Sequence, residues 1–187
     1  IDGTVQSETG STLSGPFLYD QNIECTVTPT DALEDGVPVS ESVIILNTAP
    51  VVDSVNLGPT SVYTNDTVTA TTLMSDVDSG QTPTATYEWH VIDASDANVD
   101  RIVAVTTSSL SGANPTQHFG RGDQVYVIVT PNDGVEDGTP VTSSAVTILN
   151  SGPTAPTIVL EGTTTPPVSF TDDLLCYVDV LAEDPDP

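Results

Sequence analysis

The sequence predicts an all-β chain organised as tandem β-sandwich repeats of about 100 residues. Three observations carry the prediction. Apolar residues alternate with small or polar ones in short β-branched runs that show no helical period. Clusters of Gly, Pro, Asn and Asp punctuate those runs at short intervals. Whole segments then recur with order, spacing and identity preserved. Residues 26–47 read TVTPTDALEDGVPVSESVIILN, and residues 128–150 read IVTPNDGVEDGTPVTSSAVTILN.

The recurrence extends upstream. Leu13-Ser14-Gly15 echoes Leu110-Ser111-Gly112, Phe17 echoes Phe119, and Ile1-Asp2 echoes Ile92-Asp93. The front of the unit is also doubled. Ala49-Pro50 opens a segment containing TNDTVTATTLMSDVD, and Ala155-Pro156 opens one containing FTDDLLCYVDVLAEDPD. The organisation that follows is the back half of one unit at 1–47, a complete unit at 48–150, and the front half of a further unit at 151–187.

Within the complete unit the expected strands are 51–57, 67–74, 86–92, 101–106, 124–130 and 141–149. Each alternates apolar and small or polar side chains, as a half-buried strand requires. Turns fall at Gly58-Pro59, Asp78-Ser79-Gly80, Gly120-Arg121-Gly122-Asp123 and Asn132-Asp133-Gly134, where Gly and Asp supply turn geometry. Six or seven short strands in about 100 residues point to an immunoglobulin-like sandwich. Trp89 is the expected core aromatic, on the third of these strands and packed against the second and sixth.

Charge narrows the function classes. Two basic residues, Arg101 and Arg121, stand against 27 acidic ones, and the net charge is −25. Nucleic acid and anionic lipid repel such a chain, so neither is an expected partner. Cations or basic surfaces are attracted. Disorder is not expected, because 37% of residues are hydrophobic and arrive as patterned runs. No run approaches the roughly 18 apolar residues of a membrane span, so membrane insertion is not expected.

The Ala-Pro opening, the TNDT/TDD strand start, the Asp-x-Asp loop, Tyr87-Glu88-Trp89, the Gly-Asp turn, VTPxDG and the closing ILN form a pattern. It resembles the immunoglobulin-like, cadherin/PKD-like tandem repeats of large prokaryotic extracellular surface proteins. The resemblance covers nearly the whole chain. It implies an extracellular or cell-surface location and a role in stalks, surface layers, filaments or spacers. In such sandwiches the second and sixth strands are joined across the sheets. Cys176 falls on the second strand of the last unit and Cys25 on the sixth of the first, with Ala70 and Val127 at the matching core positions of the complete unit. A disulfide between repeats or between chains is the expectation for these cysteines.

Asp76 and Asp78 fall in the loop after the second strand, and Asp133, Glu136 and Asp137 in the loop before the last. Calcium takes six to eight oxygens, and end loops of this kind can supply them. The competing reading makes these residues turn builders, since Asp bonds its own backbone. Asn65-Asp66-Thr67 is an N-glycosylation sequon, so glycans are a further expectation at Asn65. Arg121-Gly122-Asp123 is a tripeptide that some integrins read, here at a turn. His90 lies beside Trp89 and His118 in a loop. No nucleophile motif, HExxH helix or phosphate loop is present, and acidic pairs in repeated turns offer no cleft for glycoside chemistry. An enzyme is therefore not expected.

The expected function is structural: a filament, stalk or surface layer made by linear stacking of repeats. The partner is the chain itself, as covalent head-to-tail repeats or as protomers that complete each other's half-units. The alternative from another class is calcium-dependent adhesion or carbohydrate binding in a secreted protein.

Overall fold

The structure is a computed structural model that describes residues 1–5, 10–96, 99–113, 117–162, 173–184 and 186. Among these residues it is all-β, with thirteen strands and no helix. A two-stranded sheet pairs β1 (Asn22–Val27) with β2 (Val39–Ile44). A three-stranded sheet runs in the order β3 (Val51–Gly58), β5 (Thr67–Ser75), β8 (Ser109–Ser111). The largest sheet runs β4 (Val62–Tyr63), β11 (Val146–Leu149), β9 (Gln124–Asn132), β6 (Thr84–Asp93), β7 (Val99–Val103), and β10 (Val141–Thr142) pairs with β9. β12 (Thr157–Gly162) and β13 (Leu174–Val180) form a last hairpin. Most pairs whose register is defined are antiparallel, and β4 runs parallel to β11.

Strand alternation explains the cores. On β9, Val125, Val127 and Val129 are buried while the intervening residues are half-exposed, and on β5 the buried residues are Val68 and Ala70. Two compact units divide the chain. One comprises Ile1–Val55, Thr72–Thr86 and Val129–Val141, the other Asn56–Thr71, Tyr87–Ile128 and Thr142–Pro187. The second unit holds the large buried side chains Trp89, Phe119, Leu110 and Ile148. The Trp89 indole N–H donates to the carbonyl of Thr107 at 2.8 Å, so its polar edge is satisfied inside the core. In the first unit Pro50, Val52 and Val129 are buried.

Four of the expected strands keep their place with ends shifted by up to two residues, and the rest differ more. The expected run 141–149 is two strands, because Ser143 turns inward: its N–H donates to Val127 O at 2.9 Å and its hydroxyl accepts from Val127 N at 3.1 Å. The run 101–106 is instead Val99–Val103. β4 and β8, of two and three residues, were not expected.

The sequence recurrence is also a recurrence of hydrogen bonds. Leu18 N donates to Gln21 Oε1 at 2.8 Å, and Gly120 N donates to Asp123 Oδ2 at 2.8 Å. Asp20 N and Gly122 N donate to Ile45 O and Ile148 O, each at 2.9 Å. Ile45 N returns a bond to Gln21 O at 2.9 Å, as Ile148 N does to Asp123 O at 2.8 Å. The same turn is therefore built twice.

The terminal hairpins differ from the middle in burial. On β1–β2 one face carries Ile23, Cys25, Val27, Val39 and Val43, with Glu41 opposite Cys25, by the pairing Ile23↔Val43, Cys25↔Glu41 and Val27↔Val39. On β12–β13 one face carries Ile158, Leu160, Leu174, Cys176 and Val178, by the pairing Ile158↔Val178 and Leu160↔Cys176. Apart from half-buried Ile23, these side chains are exposed. Their counterparts in the middle, Val125, Val127, Val129, Val52, Val68 and Ala70, are buried.

Candidate functional site

The best-defined polar site lies in the first unit, where the linker 47–50 meets two acidic loops. The loop 131–138 is shaped by its own carboxylate. Asp133 Oδ1 accepts from Val135 N at 2.7 Å and Glu136 N at 2.8 Å, and Gly138 N closes the loop on Pro131 O at 2.8 Å. Bonds from Glu136 N and then from the Asn47 amide hold the Asp133 carboxyl below the usual carboxylate range.

Asn47 joins linker to loop. Its Nδ2 donates to Asp133 Oδ2 and Glu136 Oε1, each at 2.9 Å, and its Oδ1 accepts from Gln81 Nε2 at 2.8 Å. The next residue is held by the Asp-x-Asp loop, with Thr48 N donating to Asp78 Oδ2 at 2.7 Å and Asp78 N to Asp76 Oδ1 at 2.8 Å. Pro50 then packs beside Gly138. A Cβ there would lie 2.8 Å from Pro131 Cγ and 3.0 Å from Pro50 C, and closer still to Pro50 O. Only glycine admits the linker.

Parts of this latch occur twice more. Ser151 N donates to Asp186 Oδ2 at 2.7 Å and Asp186 N to Asp184 Oδ1 at 3.0 Å, which repeats the Thr48–Asp78–Asp76 bonds in the second unit. Thr64 Oγ1 also donates to Asp186. In the loop 29–36, Asp31 Oδ1 accepts from Leu33 N at 3.0 Å and Glu34 N at 3.1 Å, and Gly36 N closes on Pro29 O at 2.7 Å. These bonds lower the Asp31 carboxyl as well.

Asp76, Asp78, Asp133, Glu136 and Asp137 thus enter a network of N–H donors. Asp137 Oδ1 accepts from Asn132 Nδ2 at 2.8 Å. Among the described residues, no three His, Cys, Asp or Glu side chains are gathered to hold a metal ion. Two buried oxygens in this region, Asp76 Oδ2 and Gln81 Oε1, accept no hydrogen bond from the described residues. Cys25 and Cys176 are free and exposed. Asn65 is exposed in the turn after β4, where Asp66 Oδ2 accepts from Tyr63 N at 2.9 Å.

The tripeptide 121–123 is committed to its turn. Asp123 is buried, and its carboxylate accepts from Ala94 N at 2.9 Å and Gly120 N at 2.8 Å. An integrin needs that carboxylate exposed, so this copy does not present the motif.

Sequence reasoning did not anticipate Asn47 and Gln81, although the repeated ILN ending was a signal for the first. It also missed a cluster on the large sheet. His90 Nδ1 lies 3.1 Å from Asp100 Oδ1, and Nε2 lies 3.1 Å from Glu88 Oε1. Tyr126 stacks on the imidazole with centroids 4.6 Å apart and donates to Asp100 Oδ2 at 2.6 Å. That bond pushes the Tyr126 phenol up to about 12 and holds the Asp100 carboxyl down. Both ring nitrogens and one face of the imidazole are engaged by neighbours, so the cluster ties β6, β7 and β9 together. Compared with known proteins, the chain matches no family model and no curated protein sequence.

Proposed function

We propose that the chain is a structural, extracellular repeat protein that forms a filament, stalk or surface layer by linear stacking of immunoglobulin-like domains, and that it is not an enzyme. The observation that carries the reading is the doubling of the bond that holds the opening of a unit. A backbone N–H directly after an ILN strand end is bound by the second Asp of an Asp-x-Asp loop at both Thr48–Asp78 and Ser151–Asp186. An opening segment held twice by the same parts starts successive units in the same way, as repeats of one stacking unit do. The sheet orders β3-β5-β8 and β4-β11-β9-β6-β7, with β4 parallel to β11, support the immunoglobulin-like assignment. Units at 1–47, 48–150 and 151–187 follow on this reading.

Solution scattering of the purified chain tests it. Linear stacking gives an extended, rod-like distance distribution, whereas a compact near-spherical particle refutes the reading. A second reading, calcium-dependent adhesion through the end loops, draws on Asp76 Oδ2 and Gln81 Oε1, buried acceptors without donors among the described residues. Its test is calcium titration followed by thermal unfolding. A saturable rise in midpoint that is lost in Asp76→Asn favours it, and no rise removes it.

A further inference from the structure

The loop 29–36 is the loop 131–138 without its linker. The two share their backbone bonds and the bonds to the Asp that shapes the loop. Asp31 N and Asp133 N approach Glu34 O and Glu136 O at 3.5 and 3.4 Å, and Thr30 bridges Asp35 as Asn132 bridges Asp137. In the complete copy Asp133 Oδ2 and Glu136 Oε1 hold the Asn47 amide, and Pro50 lies against Gly138. In the other copy, Asp31 Oδ2 and the Glu34 carboxylate accept no hydrogen bond among the described residues. There Pro29, Thr30, Asp31, Glu34, Asp35 and Gly36 line an open pocket of about 320 Å³.

We propose that this pocket is the docking site for residues 150–153 of a second copy of the chain. The proposal rests on the repeat reading above and names its partner. Asn150-Ser151-Gly152-Pro153 keeps the spacing of Asn47-Thr48-Ala49-Pro50. Its Ser151 is already held by Asp186 as Thr48 is held by Asp78, so the segment is preset. Among the described residues the Asn150 amide donates to Ser151 O, at 2.9 Å. On docking it donates to Asp31 Oδ2 and Glu34, and Pro153 takes the place of Pro50 beside Gly36.

The sheet faces identify the occupant independently. Val27 is 62% exposed, whereas its counterpart Val129 is fully buried. Leu174 is 60% exposed, whereas its counterpart Val68 is fully buried. In the complete unit both kinds of face are covered. The face of β1–β2 corresponds to the Val125-Val127-Val129 side, and that of β12–β13 to the Val52-Val68-Ala70 side. One chain therefore carries the uncovered halves of two different sheets, and docking of residues 150–153 brings the β12–β13 face of one copy to the β1–β2 face of another. The contact joins different surfaces of the two copies, so each copy keeps a further face for the next one. Cys25 and Cys176 replace Val127 and Ala70 on these faces. With glutathione disulfide as oxidant, a Cys25–Cys176 bond forms between copies as its S–S bond breaks, and the two thiol protons pass to two molecules of glutathione.

Sedimentation velocity over a concentration series, at moderate salt and with reductant, tests the docking. Open-ended association is expected. Asn150→Ala, and separately Asp31→Asn with Glu34→Gln, should each weaken it about tenfold or more, since each removes hydrogen bonds to carboxylates. Near-ultraviolet circular dichroism of Trp89 verifies that the variants fold. Glutathione disulfide should then give a ladder on a non-reducing gel, with Cys25 and Cys176 in one linked peptide. Association unaffected by Asn150→Ala overturns the linker docking, and a chain that stays monomeric throughout overturns the second-copy partner. A monomer that is nonetheless extended in scattering leaves the linear-repeat reading standing. A compact particle removes that reading whether or not copies associate.

Discussion

Gly138 and Gly36 occupy the same position in two copies of one loop, and substituting each by Ala separates the loop from its linker. At both positions the new Cβ meets its own proline ring, at 2.8 Å from Pro131 Cγ and 2.9 Å from Pro29 Cγ. That contact cancels in the comparison. At Gly138 alone the Cβ also meets linker backbone, 3.0 Å from Pro50 C and closer to Pro50 O. Carbon atoms prefer about 3.5–4.0 Å, so the linker retreats by roughly 0.5–1 Å or more. Overpacking of this kind costs about 1–3 kcal/mol. For a unit of about 100 residues each kcal/mol moves the midpoint by roughly 4–8 °C, so Gly138→Ala should melt about 5–20 °C lower. Gly36→Ala meets the proline contact without the linker contact, so its loss should be smaller than that of Gly138→Ala by the linker's share. Thermal unfolding followed by far-ultraviolet circular dichroism and Trp89 fluorescence reads both. Equal losses in the two variants would refute the claim that the linker distinguishes the copies.

Asp123→Ala strands the N–H groups of Ala94 and Gly120, and in urea unfolding it should cost about 1.5–3 kcal/mol. A loss near zero would show that the turn does not need its carboxylate. The Tyr126 phenol is raised, so its contribution is complete below the unfolded value near 10 and is lost as pH rises through about 12. An alkaline unfolding curve should therefore flatten between these values in Tyr126→Phe, and an unchanged curve refutes the role of its bond to Asp100. Asp133, Asp31 and Asp100 are lowered, so their contributions are complete above the unfolded value near 3.9 and are lost as pH falls through the folded values. Acid titration of the melting midpoint should show that loss, and Asp133→Asn should diminish it. Monovalent salt should raise the midpoint, because screening relieves repulsion at a net charge of −25. A midpoint that is flat or falling with salt would contradict net repulsion among the carboxylates.

Much of the architecture was legible because β sequences state their faces directly. The alternation in 67–74 and 124–130 placed Val68, Ala70, Val125 and Val127 on one side of their strands, and those residues are buried. The doubled segments exposed the loops that now share hydrogen bonds. What could not be read depends on partners distant in sequence. Asn47 meets Asp133 and Glu136 across more than 80 residues, and nothing local states which loop the linker crosses. The His90 cluster depends on the register between β6 and β7, where His90 pairs with Ile102, and a slip of one residue would send Asp100 to the other face. β4 and β8 are too short to show a period, and Ser143 interrupts its strand through a side chain that the alternation rule treats as neutral.

The carboxylates illustrate why composition alone left their role open. With two arginines and no lysine, the chain cannot pair its acids with basic side chains, and among the described residues the ion-pair contacts are those of His90. Backbone and amide N–H groups serve instead. Asp66 takes Tyr63 N, Asp93 takes Ser95 N, Asp76 takes Asp78 N, and Asp133 takes two loop amides before it takes Asn47. Each such carboxylate fixes a turn, so the acids that make the chain acidic also shape its loops. At the latch the second oxygens of a shaped loop receive an asparagine amide, a donor whose two N–H groups fit two carboxylates at 2.9 Å. A divalent ion would compete for those same oxygens. An Asn47→Asp variant would replace the donor by a third carboxylate and make the junction depend on calcium. A junction that remained calcium-independent in that variant would show that the amide does not hold the place a cation would take.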